Sequence, residues 1–224
     1  MLLNPSTIVH VTSATGCGGT VGGVSARTLD DSSTAILDAA RELLAAEGQA
    51  ALTVRRIAAT AGGSTMNVYS RFGGKDGVLD ALLIEGFEQL GNAMRRVRTT
   101  DRPIADLERC ARAYRDFALS HRTHYELMFD PAVPGLAKSE RAVETARAAL
   151  GMLGARVERA MNAGQLRAGD PLAIATIFWA SCHGPLSLEL KQVGPPETDW
   201  AAVHRDLVAA LILGLGGPDP RRSR

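Results

Sequence analysis

Little in this chain points to cysteine chemistry, a membrane or a catalytic centre. Its 224 residues hold only three cysteines, Cys17, Cys110 and Cys182, far apart and with no CxxC pair. That pattern argues against a disulfide framework and fits a reduced, cytoplasmic protein. Cys182 and His183 are neighbours, but adjacent helical residues point about 100° apart and do not converge as nucleophile and base or as metal ligands. Apolar runs such as residues 172–181 are far shorter than the ~20 residues a membrane helix needs, so no membrane partner is expected. The first 25 residues lack a basic start and a long apolar stretch and do not read as a secretory signal. Carboxylate pairs, metal-ligand spacings, phosphate loops and nucleophile elbows are also missing, so catalytic residues, metals and cofactors are not expected. The net charge is only +1, which gives no global basic field to announce a nucleic acid.

What is present is helix. Apolar residues make up 46% of the chain, enough for a core, and they recur at three- and four-residue steps with no convincing strand or internal repeat. The most informative segment is LTVRRIAATAGGSTMNVYSRFGGK, residues 52–75. Thr53 can cap a helix with Val54, Ile57, Ala58 and Ala61 on one face. Gly62 and Gly63 end it, and Ser64 can cap the next. In that second helix Val68 and Phe72 share the inward side while Met66, Asn67 and Ser70 point outward and Tyr69 and Arg71 lie on the flanks. Spacing alone also fits an ordinary helical hairpin. The outward face, with an amide, hydroxyls and a thioether, is instead suited to bases and phosphates. Between residues 34 and 75, five cations (Arg41, Arg55, Arg56, Arg71, Lys75) face three anions (Asp38, Glu42, Glu47), a local excess of two.

Around this segment the pattern predicts an all-α fold. Residues 1–31, rich in Gly, Ser, Thr and Val, read as a disordered tail, and residues 217–224 as a flexible C-terminal one. A helix after Ser33 carries Ile36, Leu37, Ala40, Leu43 and Leu44 and ends at Gly48, completing a three-helix unit over residues 32–75. Residues 76–216 form a second helical domain. It begins in a long helix from about Lys75 to Val97 and continues with one opened by Pro103 and a short one ending at Phe129. A loop over 131–135 and helices capped by Ser139 and Asp170 follow. In the last helix Trp200, Val203, Leu207, Ala210 and Leu211 form one more amphipathic face. Together with the nearly all-apolar helix after Asp170, it offers more apolar surface than one subunit can cover, which suggests a homodimer through the last two helices. Pro185 removes one helical hydrogen bond and is expected to bend its helix near Ser181.

The strings T-V-R-R-I-A, A-G, N-V-Y-x-R-F and G-x-K resemble the N-terminal domain of the TetR family of transcriptional regulators. W-A-S-C-H-G-P-L-S-L-E-L around Trp179 and A-Y-R-D-F-A-L-S-H-R-T-H-Y-E-L-M-F from Ala113 to Phe129 resemble the ligand domain of a subgroup with a tryptophan-histidine-glycine signature. The resemblance covers roughly residues 33–214; Pro185 departs from the subgroup's pattern. It implies a dimeric, ligand-responsive repressor of a palindromic operator on double-stranded DNA. Thr65, Met66, Asn67 and Ser70 would meet base edges, and Thr53, Arg55, Ser64, Tyr69 and Lys75 would hold phosphates or shape the reading helix. Thr65-Met66-Asn67 stands where many relatives carry Lys-Gly-Thr, so no relative's operator code transfers. For the effector, expected to be apolar or aromatic, the candidates are Tyr114, Phe117, Tyr125, Met128, Phe129, Trp179 and His183. As core residues these would serve equally well, His183 as a satisfied buried histidine. The competing reading is a helical small-molecule carrier or enzyme with a vestigial helix-turn-helix, using Cys182, His183 and Tyr125.

Overall fold

The computed structural model describes residues 30–129 and 138–217. Residues 1–29, with Cys17 among them, residues 218–224 and the 131–135 loop lie outside the described residues, whereas Asp30 and Asp31, expected in the first tail, cap and open the first helix. The described chain is helical: α1 (Asp31–Glu47), α2 (Val54–Thr60), α3 (Thr65–Phe72), α4 (Lys75–Arg96), α5 (Pro103–Ser120), α6 (Arg122–Phe129), α7 (Glu140–Asn162), α8 (Pro171–Leu190) and α9 (Trp200–Gly214). A 3₁₀ turn, Gln49–Ala51, joins α1 to α2. Extended pairing among the described residues is limited to one isolated bridge between Leu166 and Gly216.

Most helix starts follow from capping chemistry. The Thr53, Ser64 and Ser139 hydroxyls and the Asp170 and Asp199 carboxylates each accept an amide N–H of the first turn. The first helix differs from expectation. Its cap is Asp30, whose carboxylate accepts from the Ser33 N–H at 2.7 Å, so α1 starts before Ser33 and Ser33 is buried inside it. A carboxylate three residues upstream is the stronger acceptor, and it adds a favourable charge at the positive end of the helix.

One apolar cluster runs from Ile36 and Leu44 of α1 through Val68 of α3 and Leu79, Leu83, Phe87 and Leu90 of α4 to Tyr114, Met128, Cys182 and Leu186. A second, at the other end of α5, α7 and α8, gathers Leu107, Val157, Ile174, Phe178 and Leu215. α4 is therefore common to the N-terminal helices and the larger helical body. Its C-terminal end is held from α7. Arg156 donates to the carbonyls of Met94 and Val97 at 3.0 and 2.7 Å, and Arg159 donates to that of Thr100 at 2.6 Å. Beneath this clamp Asp106, fully buried, accepts the Thr100 amide and hydroxyl at 2.8 and 2.7 Å and is paired with Arg109 and Arg159.

α9 keeps only part of its apolar face inside the subunit. His204 and Val208 are buried, with Leu211 and Ile212 partly so, while Val203, Leu207 and Ala210 face outward. A helix apolar nearly all round has no single apolar face for a sequence pattern to pick out. On α8 the buried stripe is Ile174, Phe178, Cys182, Leu186 and Leu190 at four-residue steps, and Ala173, Ile177, Ala180, Gly184 and Leu188 are exposed. No described helix is long and apolar enough to cross a membrane.

Candidate functional site

α2 and α3 meet at a corner built by Gly62, with φ +66°, and Ser64. α3 buries Val68 completely, half-buries Phe72, and ends at Gly73 in the left-handed conformation with φ +72°. α4 then crosses so closely that a Cβ on Gly77 would lie 1.7 Å from the carbonyl oxygen of Phe72. Two ion pairs fix the unit from outside: Arg71 to Asp30 at 3.0 Å, and Arg56 to Glu47. These two arginines are thereby occupied within the fold, and the Arg71 contact helps hold the Asp30 carboxyl at about 2.

Held in this way, α3 presents Met66, 71% exposed, and Tyr69, 55% exposed, with Thr65 and Ser70 also outward. Among the large apolar side chains of the described residues, Leu213 alone is more exposed than Met66. Asn67 is half-buried, its amide lying over the turn beside Gly63. The Ser70 hydroxyl donates to the Asn67 carbonyl at 3.2 Å. Thr53 and Arg55 at the start of α2 are exposed, and Lys75 opens α4 half-buried. Thr53 and Ser64 accept amide hydrogens as caps, which leaves each hydroxyl proton able to donate outward.

The second candidate site lies between α5, α6 and α8. Trp179 Nε1–H donates to the Tyr114 hydroxyl at 3.2 Å, and Tyr114 lies 3.4 Å from the Tyr125 hydroxyl and 3.2 Å from His183 Nδ1. Tyr125 is 2.7 Å from the same Nδ1. Phe129 closes the group, its ring 5.1 Å from His183, 4.9 Å from Tyr125 and 5.8 Å from Trp179. Burial pushes the Tyr125 hydroxyl up to about 12, Tyr114 well above its usual 10, and the Cys182 thiol up to about 12. All three stay protonated at neutral pH, which leaves Cys182 a poor nucleophile. His183 moves the other way: burial first, and the Lys191 charge second, lower it below its ordinary 6.5 and keep the imidazole neutral.

A narrow open cleft of about 30 Å³ lies against this group, lined by Tyr125, Glu126 and Phe129 from α6 and by His183, Ser187, Leu190 and Lys191 from α8. Five of the seven residues singled out for a ligand thus come together around His183. Of these, Tyr125, Phe129 and His183 line the cleft, and Tyr114 and Trp179 stand behind it; Phe117 stacks on His121 at 5.0 Å and Met128 packs against Gly86 of α4, both away from it. Sequence reasoning passed over Glu126, Ser187, Leu190 and Lys191. Ser187 and Lys191 stand four and eight residues beyond His183, so helical register was the signal that could have found them.

Two family models match the chain. The one described as bacterial regulatory proteins of the tetR family covers residues 36–82, and the tetracyclin repressor-like C-terminal domain covers residues 107–212. Among curated proteins, the HTH-type transcriptional regulator Rv1816 of Mycobacterium tuberculosis is 27% identical over 142 residues. That stretch is 62% of this chain, and the chain spans only 61% of the length of this curated relative. A solved protein of unknown function from Rhodococcus sp. RHA1 is 27% identical with a TM-score of 0.73, over 86% of this chain and 99% of that one. The transcriptional regulator FadR from Bacillus subtilis, solved in complex with stearoyl-CoA, shares the fold at 18% identity and a TM-score of 0.67, over 81% and 98% of the two chains. With a helix-turn-helix at one end, a helical body at the other and a family model matched to each, the chain belongs to the TetR family of bacterial transcriptional regulators.

Proposed function

We propose that the protein is a repressor that binds a palindromic operator as a homodimer and is released by a small, partly apolar effector held in the cleft between α6 and α8. The observation that carries the DNA half is the outward face of α3, where Met66 and Tyr69 stand exposed on a helix pinned from behind by Val68. Thr65, Met66, Asn67 and Ser70 meet base edges in the major groove, Asn67 being the side chain suited to bidentate adenine readout. Thr53, Arg55, Tyr69 and Lys75 hold phosphates, and Ser64 shapes the start of the reading helix. The outward stripes Ile177, Ala180 and Leu188 of α8 and Val203, Leu207 and Ala210 of α9 pair with those of a second copy. Two reading helices then lie about one DNA turn apart, ~34–36 Å, or at a wider spacing shared between dimers.

The effector half rests on the Tyr114–Tyr125–His183–Trp179–Phe129 group. An apolar portion in the effector agrees with the stearoyl-CoA bound by the FadR of similar fold. Coupling runs through α6, which carries Tyr125 toward the cleft and Met128 and His124 toward α4. A Cβ on Gly86 of α4 would lie 2.8 Å from the Met128 sulfur and 3.3 Å from His124 Cβ, so α6 cannot shift toward α4 without moving it. Glu85 of α4 in turn sits 3.5 Å from His124 and 3.6 Å from Arg41 of α1. A ligand that favours the displaced α6 favours a half-site spacing the operator does not match, and only such differential affinity can drive release.

Selection of genomic fragments on the full-length protein, followed by duplex binding at low and moderate salt, tests the DNA half. A shared palindrome and a steep loss of affinity with salt are expected. Fragments with no common sequence, or affinity indifferent to salt, would sink it. Compounds are then screened for release, and Ser187→Trp, which fills the cleft, should abolish their effect.

A further inference from the structure

The reading helix α3 is short of charge, and that narrows what it can recognise. This step rests on the reading of α3 as the helix that enters the major groove. Arginine or lysine on guanine is the commonest specific base contact. Yet α3, TMNVYSRF, holds one cation, Arg71, and Arg71 is paired with Asp30 at 3.0 Å. The polar side chains are engaged locally as well. Asn67 lies half-buried with its amide nitrogen 3.5 Å from where a Cβ on Gly63 would stand, over the turn that opens the helix. The Ser70 hydroxyl donates to the Asn67 carbonyl at 3.2 Å, so only its lone pairs are left to face a base. The Tyr69 ring rests against Gly74, its Cε1 3.5 Å from a Cβ placed there, and so leans to the α4 flank of the helix.

Thr65 and Met66 project from the first turn, both exposed, and Met66 has by far the longer reach. At 71% exposure it is the most exposed large apolar side chain of the reading unit. It is the second residue of α3, in the part of a reading helix whose side chains meet base edges. Its chain has three rotatable bonds, no donor and only a weakly accepting sulfur. Such a side chain matches none of the hydrogen-bonding atoms on a base edge, and covering them would strip their water without replacing it. The major groove shows one apolar group, the C5-methyl of thymine. Met66 laid on that methyl takes two apolar surfaces out of water at once.

We propose that Met66 is the specificity-determining residue for one thymine in each operator half-site, which it recognises by packing its thioether chain on the C5-methyl of that base.

The test is a uracil scan of the selected operator with the full-length protein, read by fluorescence anisotropy at fixed salt. Each thymine of the half-site is replaced in turn by deoxyuridine, which keeps every hydrogen-bonding atom and removes only the methyl. One position should stand out, weakening the wild type about fourfold in one half-site and ~15-fold in both, the contribution of one buried methyl-sized group per site. Met66→Ala should lose affinity for the thymine operator by a similar factor and no longer tell thymine from uracil at that position. Met66→Leu, which keeps an apolar chain, should keep part of the discrimination. Thermal unfolding by circular dichroism checks that both variants fold, and the wild-type scan needs neither. A scan in which no thymine stands out, or a penalty undiminished in Met66→Ala, would overturn the proposal while a salt-sensitive palindrome left the operator reading intact. Fragments that share no sequence would bring down that reading and this step with it.

Discussion

Replacing Gly77 with alanine asks whether the reading helix is placed by the close crossing of α4. The added Cβ would lie 1.7 Å from the Phe72 carbonyl oxygen, 2.8 Å from its carbon and 3.4 Å from its Cα. That first distance falls about 1.8 Å short of the ~3.5 Å at which such contacts become favourable. The obstacle is backbone, not the end of a flexible side chain, so α4 has to lift from the end of α3. Overpacking of this kind costs about 3 kcal/mol at the upper end of its usual range. The better helix propensity of alanine offsets about 1 kcal/mol, leaving a net loss of about 2 kcal/mol and a Tm lower by roughly 4–8 °C for a chain of this size. Because the displacement falls between α3 and the rest of the molecule, operator affinity should drop by about tenfold or more. Gly151→Ala in α7 is the control, for nothing lies within 4 Å of its Cβ. It should raise Tm by about 1–4 °C and leave DNA binding alone. The measurements are thermal unfolding by circular dichroism and duplex binding by fluorescence anisotropy. If Gly77→Ala behaved like Gly151→Ala in both, the argument that this crossing sets the reading helix would be wrong.

Asn67→Ala should cost about 1–3 kcal/mol on the selected operator and relax preference at one base position; equal losses on every sequence would show that it only touches backbone. Asp106→Asn should lose about 2–3 kcal/mol in urea unfolding, since charged hydrogen bonds from Thr100 and Arg159 become neutral ones. Burial alone would raise the Asp106 carboxyl, but the Thr100 amide and hydroxyl and Arg159 outweigh it and hold it at about 2, below its ordinary 3.8. The unfolded chain thus takes up this proton first, so the stabilisation is full above pH ~4 and fades as pH falls toward 2. The variant's stability should be flatter over that window, and parallel curves would refute the assignment. Leu207→Glu, on the outward face of α9, should give a monomer in sedimentation with helix content retained; a persisting dimer would move the interface elsewhere.

How far the structure could be read from sequence varied with the range of the interaction. Caps at Thr53, Ser64, Ser139 and Asp170 were legible because each is a bond between residues two or three apart. Asp30 was missed as the α1 cap because Ser33 offered the same chemistry nearer the apolar run. On α9 the apolar pattern alone did not say which residues go inside: His204 and Val208 are buried while Val203 and Leu207 stay outward, and packing on α5 and α8 decides this. Asp106, a charge within an apolar stripe, gave no hint of burial. Its partners Thr100 and Arg159 are six and fifty-three residues away. At the cleft, the aromatic members were visible as residue types. Ser187 and Lys191 were ordinary polar residues until α6 was seen to face them.

The grip of Arg156 and Arg159 on the end of α4 has a mechanical side. With Met94 and Val97 tethered to α7, the helix is held at one end like a rod in a socket. Its 22 residues span about 33 Å at 1.5 Å each. A tilt of 5° about that socket carries the Lys75 end about 3 Å, close to one base-pair rise. Gly86, about halfway along the rod, need move only half as far. A displacement at α6 of little more than an ångström is thus enough to put the reading helix one base pair out of step with its operator.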